Sequence, residues 1–437
     1  MDNLHPLIHI VKSQKNGIAK GIYSACSANE YVIEAVLERA LLNADYALIE
    51  ATANQVNQFG GYTGMKPEGF RKFVYSIAEK VKFPFQKIIL GGDHLGPLTW
   101  QNENTQEAMQ KSAELIREYV LAGFTKIHID TSMQLKEDNP SAHLNTKVIA
   151  DRGARLCLAA EKAFGELQKK DAASVHPVYI IGSEVPIPGG SQEKKDLVNV
   201  TKVSDFENTV DTFKEAFRRN NLERAWGNVI AVVVQPGVEF GDETIHSYNR
   251  EESKDLIKAL KKYPSFVFEG HSTDYQTAYS LKEMVEDGIA ILKVGPALTF
   301  ALREGLFALN YMENELFRYN PEIQLSNFIE TLDKEMLRKP DNWRNYYHGN
   351  SDKIRFARKY SYSDRCRYYL PVEDVKESVK LLIDNLKTVK IPLTLIKQFM
   401  PLQYDKIRNN RLKNDPEALL KDIIIHCIED YIYATTP

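Results

Sequence analysis

This chain of 437 residues has few cysteines, almost no excess of charge and no long apolar run. Its four cysteines, Cys26, Cys157, Cys366 and Cys427, lie far apart and form no C-x-x-C pair. That argues against a disulfide framework, and reduced thiols in a cytoplasmic protein are expected. Lys and Arg number 56 against 59 Asp and Glu, a net charge of -3. No field that would gather nucleic acid or anionic lipid covers the whole surface, so neither is an expected partner. Aliphatic runs such as Val229–Val234 fall far short of the roughly 18 residues needed to span a bilayer. The stretch up to Gly17 is amphipathic and lacks the apolar centre of a secretion signal. Also missing is a G-x-G-x-x-G turn after the first strand, where SACSAN stands instead. That counts against a doubly wound dinucleotide-binding sheet.

What the chain does have is a recurrence of short β-branched runs. Eight read as strands: Ile18–Ser27, Tyr46–Thr52, Lys87–His94, Lys126–Ser132, Val178–Val185, Val229–Gln235, Ser265–His271 and Ala290–Gly295. Most are apolar on both alternations, as parallel strands buried on two faces should be. Between them, Tyr31–Leu41, Phe70–Val81 and Ala108–Tyr119 carry helical spacing. Eight such units predict an α/β fold, a (β/α)8 TIM barrel over residues 1–304. From 305 to 437 the pattern turns helical, as in Val375–Leu386 and Leu419–Ile432. No Pro/Gly/Ser linker intervenes, so a helical C-terminal extension packed on the barrel is expected.

In such a barrel the strand ends meet at one face, where the chemistry sits. The first strand ends in Ser24, Cys26 and Ser27, the second in Glu50, Thr52, Asn54 and Gln55. The third ends in Asp93 and His94, the fourth in Asp130 and Ser132, the fifth in Ser183 and Glu184, the sixth in Gln235. The seventh brings Glu269, His271, Ser272 and Asp274, and the eighth Lys293 and Gly295. A buried charge costs several kcal/mol unless it is paired or bound to a metal. Histidines and carboxylates converging from several strands therefore point to a divalent metal. The expected ligands are His94, Glu184, Glu269 and His271. Zinc is the expected ion, with manganese, nickel or magnesium as alternatives. It would polarise a carbonyl and stabilise an enediolate while a carboxylate (Asp93, Glu184 or Glu269) moves a proton. That fits sugar or sugar-phosphate chemistry beside a ketone. Ser24, Glu50, Gln55, Asp130, Gln235, Asp274 and Lys293 are the expected substrate contacts.

Blander readings apply elsewhere. Ser27, Thr131 and Ser272 read as helix caps. His5, His9, His143, His176, His246, His348 and His426 read as surface or satisfied core residues. His128, mid-strand, reads as a hydrogen-bonded barrel residue. The glycine-rich loops Gln58–Gly64 and Pro186–Gly190 suit close backbone approach to a ligand, or simply a turn with positive φ. A phosphate after the seventh and eighth strands would meet Gly295 and Arg303. Arg365 and Arg367, in SYSDRCRYYLP, form a second basic candidate.

Longer stretches carry a resemblance: IEATANQVNQFGGYTGM (49–65), ILGGDHLGP (89–97), IGSEVPIPGG (181–190), VVQPGVEF (233–240), FEGHSTDYQT (268–277), ILKVGPALTFALRE (291–304) and YSDRCRYYLP (362–371). They resemble the GatZ/KbaZ family from about residue 16 to the end. The resemblance implies a (β/α)8 barrel and carbohydrate metabolism. Members are described as the non-catalytic subunit of class II tagatose-1,6-bisphosphate aldolase, others as metal-dependent epimerases interconverting tagatose 6-phosphate and fructose 6-phosphate. A phosphorylated ketose is thus the expected substrate and a class II aldolase subunit a candidate partner, with a homo-oligomer expected. A more distant likeness to catalytic class II aldolases implies Asp93 as acid/base on the C4 hydroxyl and His94 as a metal ligand. Glu184 falls at their fifth-strand glutamate. The pattern departs where metal histidines are expected, at Gln235 and Glu269, with His271 two residues on. The readings that follow are a ketose-phosphate 4-epimerase, a stabilising subunit of a separate aldolase, or an epimerase of a free ketose or uronate.

Overall fold

Each of the eight apolar runs forms a strand. β1 spans Ile22–Cys26, β2 Ala47–Thr52, β3 Ile88–Leu95 and β4 Lys126–Ile129. β5 spans Val178–Ile181, β6 Val229–Val234, β7 Val267–Gly270 and β8 Ile289–Val294. In this computed structural model, which describes residues 4–139, 143–186 and 198–437, the strands close into one barrel in the order β1-β8-β7-β6-β5-β4-β3-β2. All pairs are parallel. Most strands are shorter than the apolar runs, because the polar strand ends leave the ladder and become loops.

A helix follows each strand: Glu30–Asn43, Pro67–Val81, Thr105–Leu121, Thr146–Lys170, Val203–Arg219, Arg250–Leu260, Ala278–Glu286 and Pro296–Phe317. The caps differ from those expected. Asn29, Asn145 and Thr277 accept first-turn N–H groups, because the loops run further before the helix begins than Ser27, Thr131 and Ser272 would allow. An antiparallel ladder between Glu239–Phe240 and Ile245–His246, in the loop after β6, has no counterpart in the sequence reading.

The amphipathic N-terminal stretch is a helix, Pro6–Lys15. It buries Leu7, Ile10 and Val11 against Ile22, Leu48, Ile89, Val178 and Val267, from the first halves of the strands. At about 1.5–3 kcal/mol per buried aliphatic side chain, this contact closes one end of the barrel with an apolar plug. The polar strand ends are left at the other.

The expected boundary at 304/305 falls inside helix Pro296–Phe317, so the chain passes from barrel to extension without a break. The last helix, Pro416–Thr435, returns to the barrel wall. Thr435 O accepts from the N–H of Gly21 at 3.0 Å, and Tyr431 Oη donates to Thr273 O at 2.9 Å. Lys421 pairs with Glu34 at 2.7 Å and with Glu38 at 2.6 Å. Barrel and extension share one hydrophobic core.

One glycine measures how tightly the interior is filled. A Cβ on Gly91 of β3 would lie 2.6 Å from Cγ of Glu50, a fully buried side chain of β2. Gly91→Ala is expected to lose about 1–3 kcal/mol of stability to overpacking. Chemical denaturation checks this, and an unchanged midpoint would contradict it.

Candidate active site

The polar end of the barrel is organised by charges that meet across its interior. Lys126, first residue of β4, is fully buried. Its ammonium lies 2.6 Å from Oε1 of Glu50 on β2 and 2.7 Å from Oε2 of Glu269 on β7. Neither strand neighbours β4, so both pairs span the lumen. Glu50 also meets Lys293 of β8, whose Nζ lies 3.1 Å from Oδ2 of Asp93. Glu269 Oε1 lies 2.9 Å from Nε2 of His271. The result is a continuous alternation: Asp93, Lys293, Glu50, Lys126, Glu269, His271.

Asp93 and His94 both point inward, although adjacent strand residues ordinarily face opposite sides. The register of β3 against β4 shifts between Gly92 and Leu95, and His94 has φ +48. A β-bulge of this kind re-aims a side chain. It brings His94 into a triangle with His128 and His271, with ring centroids 4.9–5.0 Å apart. Each imidazole has one nitrogen against a carboxylate. His94 Nδ1 lies 2.7 Å from Asp130, His128 Nδ1 3.0 Å from Asp93, and His271 Nε2 2.9 Å from Glu269. Such carboxylate contacts orient metal-binding histidines and leave the second nitrogen free. His128 Nε2 is buried and has no hydrogen-bond partner among the described residues.

Asp93, His94, His128 and His271 offer ligand atoms within 4.8 Å of one another and can hold a metal ion. Four buried carboxylates (Glu50, Asp93, Asp130, Glu269) outnumber the two lysines, Lys126 and Lys293, leaving two negative charges if the imidazoles are neutral. The donor set and the charge both fit a divalent cation.

Burial resists charge on these carboxylates, but their neighbours prevail. The hydrogen bond and charge of His94 hold Asp130 at about 2. Lys126 and His271 hold Glu269 at about 2. His94 and His128 hold Asp93 below the ordinary carboxylate range. Burial lowers His271, whereas at His94 the two aspartates outweigh burial and raise it. Burial also pulls the Lys293 ammonium down to about 7.

Above the triangle opens a cleft walled by Thr52, Gln55, Tyr62, Phe240, Arg367 and Tyr368 among others. Asp274 sits at its edge. Its Oδ1 accepts from the N–H of Gly295 at 3.0 Å and of Ala297 at 2.8 Å. It thereby fills the N-terminus of helix Pro296–Phe317.

The expected residues separate into three groups. Asp93, His94, His271, Gln55, Asp274, Lys293, Gly295 and Arg367 line the cleft. Ser24, Glu50, Asp130 and Glu269 are buried beside or beneath it and act on their neighbours. Ser24 Oγ lies 3.4 Å from Lys293 Nζ. The remainder stand apart. Glu184 is exposed and accepts from Thr201 Oγ1 at 2.7 Å, because β5 stops at Ile181. Gln235 folds its amide oxygen onto the N–H groups of Gly237 and Val238, closing a turn. Arg303 pairs with Asp364 at 2.8 Å. Arg365 lies over the Tyr346 ring and donates to Asn342 O. Gly295 keeps its place, but Asp274 holds its N–H.

The structure brings together a different candidate set. His128 joins His94 and His271 in the cluster with Asp93, in place of Glu184 and Glu269. Lys126, Tyr62 and Tyr368 were not anticipated. The signal for the first was present in KIHID, where Lys126, His128 and Asp130 alternate with isoleucines on one face. In the loop Gln58–Gly64, positive φ at Gly60, Gly61 and Gly64 turns the backbone so that Tyr62 faces the cleft. Of Pro186–Gly190, Pro186 lines the cleft and residues 187–190 lie outside those described.

A family profile described as "D-tagatose-1,6-bisphosphate aldolase subunit GatZ/KbaZ-like" matches residues 7–436. The chain is similar to the "D-tagatose-1,6-bisphosphate aldolase subunit GatZ" of Salmonella agona, with 48% identity covering 98% of this chain and 99% of that protein. The protein of the same name from Klebsiella pneumoniae is also 48% identical, covering 97% and 98%. Among solved structures, a Sinorhizobium meliloti protein described as a probable tagatose 6 phosphate kinase is similar, with TM-score 0.85 and 42% identity, covering 95% of this chain and 100% of that one. No helix among the described residues is long and apolar enough to cross a membrane.

Two measurements probe this site. Elemental analysis after metal loading should show His128→Ala without its ion and Glu184→Gln with it. Asp130→Asn, which loosens His94, should weaken metal affinity about 10–100-fold. Retention of the ion by His128→Ala would refute the cluster. The second concerns Asp274, which burial raises from the ordinary 3.8 to about 6. The folded state thus favours its proton, a contribution fully present below pH 3.8 and lost as pH rises through 6. Asp274→Asn should therefore gain up to about 3 kcal/mol over the parent at pH 7, the gap closing towards pH 4. Denaturation curves at both pH values test the sign.

Proposed function

This chain belongs to the GatZ/KbaZ-like family, and from that premise we propose that it is a metal-dependent ketose-phosphate 4-epimerase interconverting D-tagatose 6-phosphate and D-fructose 6-phosphate in tagatose catabolism. The observation that carries this reading is the triangle of imidazoles with Asp93 at the floor of the cleft, among more buried carboxylates than lysines. A chain that only supports another has no use for such a centre. Replacing buried ion pairs with apolar groups is often neutral or stabilising.

A divalent ion, zinc by the histidine-rich donor set, supplies Lewis-acid polarisation of the ketone when bound. The protein's own groups do the rest. With the imidazoles of His94, His128 and His271 left to hold the ion, Asp93, ionised at neutral pH, accepts the proton of the C4 hydroxyl at its carboxylate. The C3–C4 bond breaks, and its electron pair passes to the three-carbon ketone fragment. The other fragment is an aldehyde carrying the phosphate. It turns within the cleft and presents its opposite face, the bond re-forms, and Asp93 returns the proton to O4. Lys293, 3.1 Å from Asp93, balances the charge as the proton moves. Tyr62, Phe240 and Tyr368 wall the space in which the fragment turns. The four cysteines are all free, which suits a reducing, cytoplasmic setting.

The relatives' printed name favours a second reading, a stabilising subunit of a separate tagatose-1,6-bisphosphate aldolase. Purified protein, alone, incubated with fructose 6-phosphate and zinc, manganese, nickel or magnesium, separates the two. Tagatose 6-phosphate should form, and Asp93→Asn should cut the rate by about 10²–10⁴-fold. No product with any ion would overturn the epimerase. If co-expression leaves a class II aldolase unchanged in activity and half-life, the second reading falls.

A further inference from the structure

We propose that Arg367, carried to the barrel mouth by the C-terminal extension, selects a phosphate monoester at the far end of the sugar. This rests on reading the cleft as a ketose-phosphate site.

Two cations line the cleft, Lys293 and Arg367. Lys293 is committed to Glu50 and Asp93. Arg367 forms no ion pair among the described residues. Its Nη1 donates to Ser363 O at 2.5 Å and to Asp364 O at 3.2 Å, and its Nη2 faces Tyr368 Oη at 3.4 Å. These neutral acceptors fix the guanidinium plane, and the Asp274 carboxylate feels its charge without forming an ion pair with it. A guanidinium has five N–H donors in a fork that matches phosphate oxygens.

The usual alternative is blocked. In a barrel, phosphate commonly sits at a helix N-terminus after the seventh and eighth strands. Here that position is filled by Asp274, whose carboxylate takes the N–H groups of Gly295 and Ala297. A phosphate brought there would meet like charge. Within the cleft, an anionic group is drawn to Arg367.

The segment that bears Arg367 is anchored to the barrel. Asp364 pairs with Arg303 at 2.8 Å, both 2% exposed. Ser361 Oγ donates to Asp242 at 3.0 Å. The Tyr368 ring packs edge-on against Tyr62 at 4.6 Å. The guanidinium therefore needs little ordering on binding.

Calorimetry on the metal-loaded chain compares fructose 6-phosphate, fructose and inorganic phosphate. The parent should prefer fructose 6-phosphate over fructose. Arg367→Gln should reduce that preference about 10–100-fold and abolish phosphate binding, with Arg367→Lys between. Metal content and Tm verify the fold, and if Arg367→Gln does not fold, Arg367→Lys decides. An undiminished preference in the variant, or no preference in the parent, overturns the proposal. The binding ratio stands apart from turnover. Loss of preference in a chain that epimerises nothing upholds Arg367 while removing the enzyme. Turnover with the preference intact does the reverse.

Discussion

The alternating chain of buried charges inside the barrel is the constraint on which the rest of the structure depends. Lys126 reaches both β2 and β7, and Lys293 reaches both β2 and β3. These strands are held at fixed separations by contacts that cross the lumen. Removing one partner of a buried pair costs about 3–5 kcal/mol, since the other is left charged and unsolvated. Neighbouring features serve this arrangement. Gly91 makes room for Glu50, and the bulge in β3 turns His94 to the same side as Asp93. The apolar plug from helix Pro6–Lys15 closes the far end.

Along three of the strands the inward row changes character within one or two steps. β2 goes from Leu48 to Glu50, β7 from Val267 to Glu269, and β8 from Ile291 to Lys293. β5 and β6 make no such change, contributing Val178, Ile180, Ala231 and Val233. The charged centre is therefore off-axis, on the side of β2, β3, β4, β7 and β8. The extension meets the barrel over that same mouth, and its loop at 361–368 adds Arg367 and Tyr368 to the cleft. Apolar packing on one side and ion pairs on the other leave a single polar opening.

The barrel was legible because parallel strands buried on both faces leave continuous apolar runs, and eight of them survive into the structure. Ionisable groups at the strand ends were legible because a charge after an apolar strand has few cheap places to go. What stayed hidden was their order in space. Glu184 stands apart since the ladder ends three residues before it, at Ile181, and an apolar run does not say where its strand stops and the loop turns. Lys126 opens its strand, and a lysine there reads as solvated until the lumen is seen to hold two partners for it. His128 looks solitary in sequence because its companions lie 34 and 143 positions away. The inward turn of both Asp93 and His94 depends on a register shift between β3 and β4, a property of two strands that neither sequence carries alone.

The two uncompensated negative charges narrow what this centre can be. Protons are the other means of neutralising them, and the only sites left are the imidazoles. Two cationic imidazoles with centroids 4.9–5.0 Å apart repel each other by about 3 kcal/mol at an effective dielectric of 20. The environment itself divides them: His94 gains affinity for a proton from Asp93 and Asp130, whereas burial lowers that of His271. One proton is therefore accommodated more readily than two. A divalent ion would supply both charges at one point, keep all three rings neutral and use the partnerless nitrogen of His128. The same ion leaves Asp130 and Glu269 free to orient their histidines. Charge balance and donor chemistry, which need not have agreed, both fit one divalent ion in this cluster.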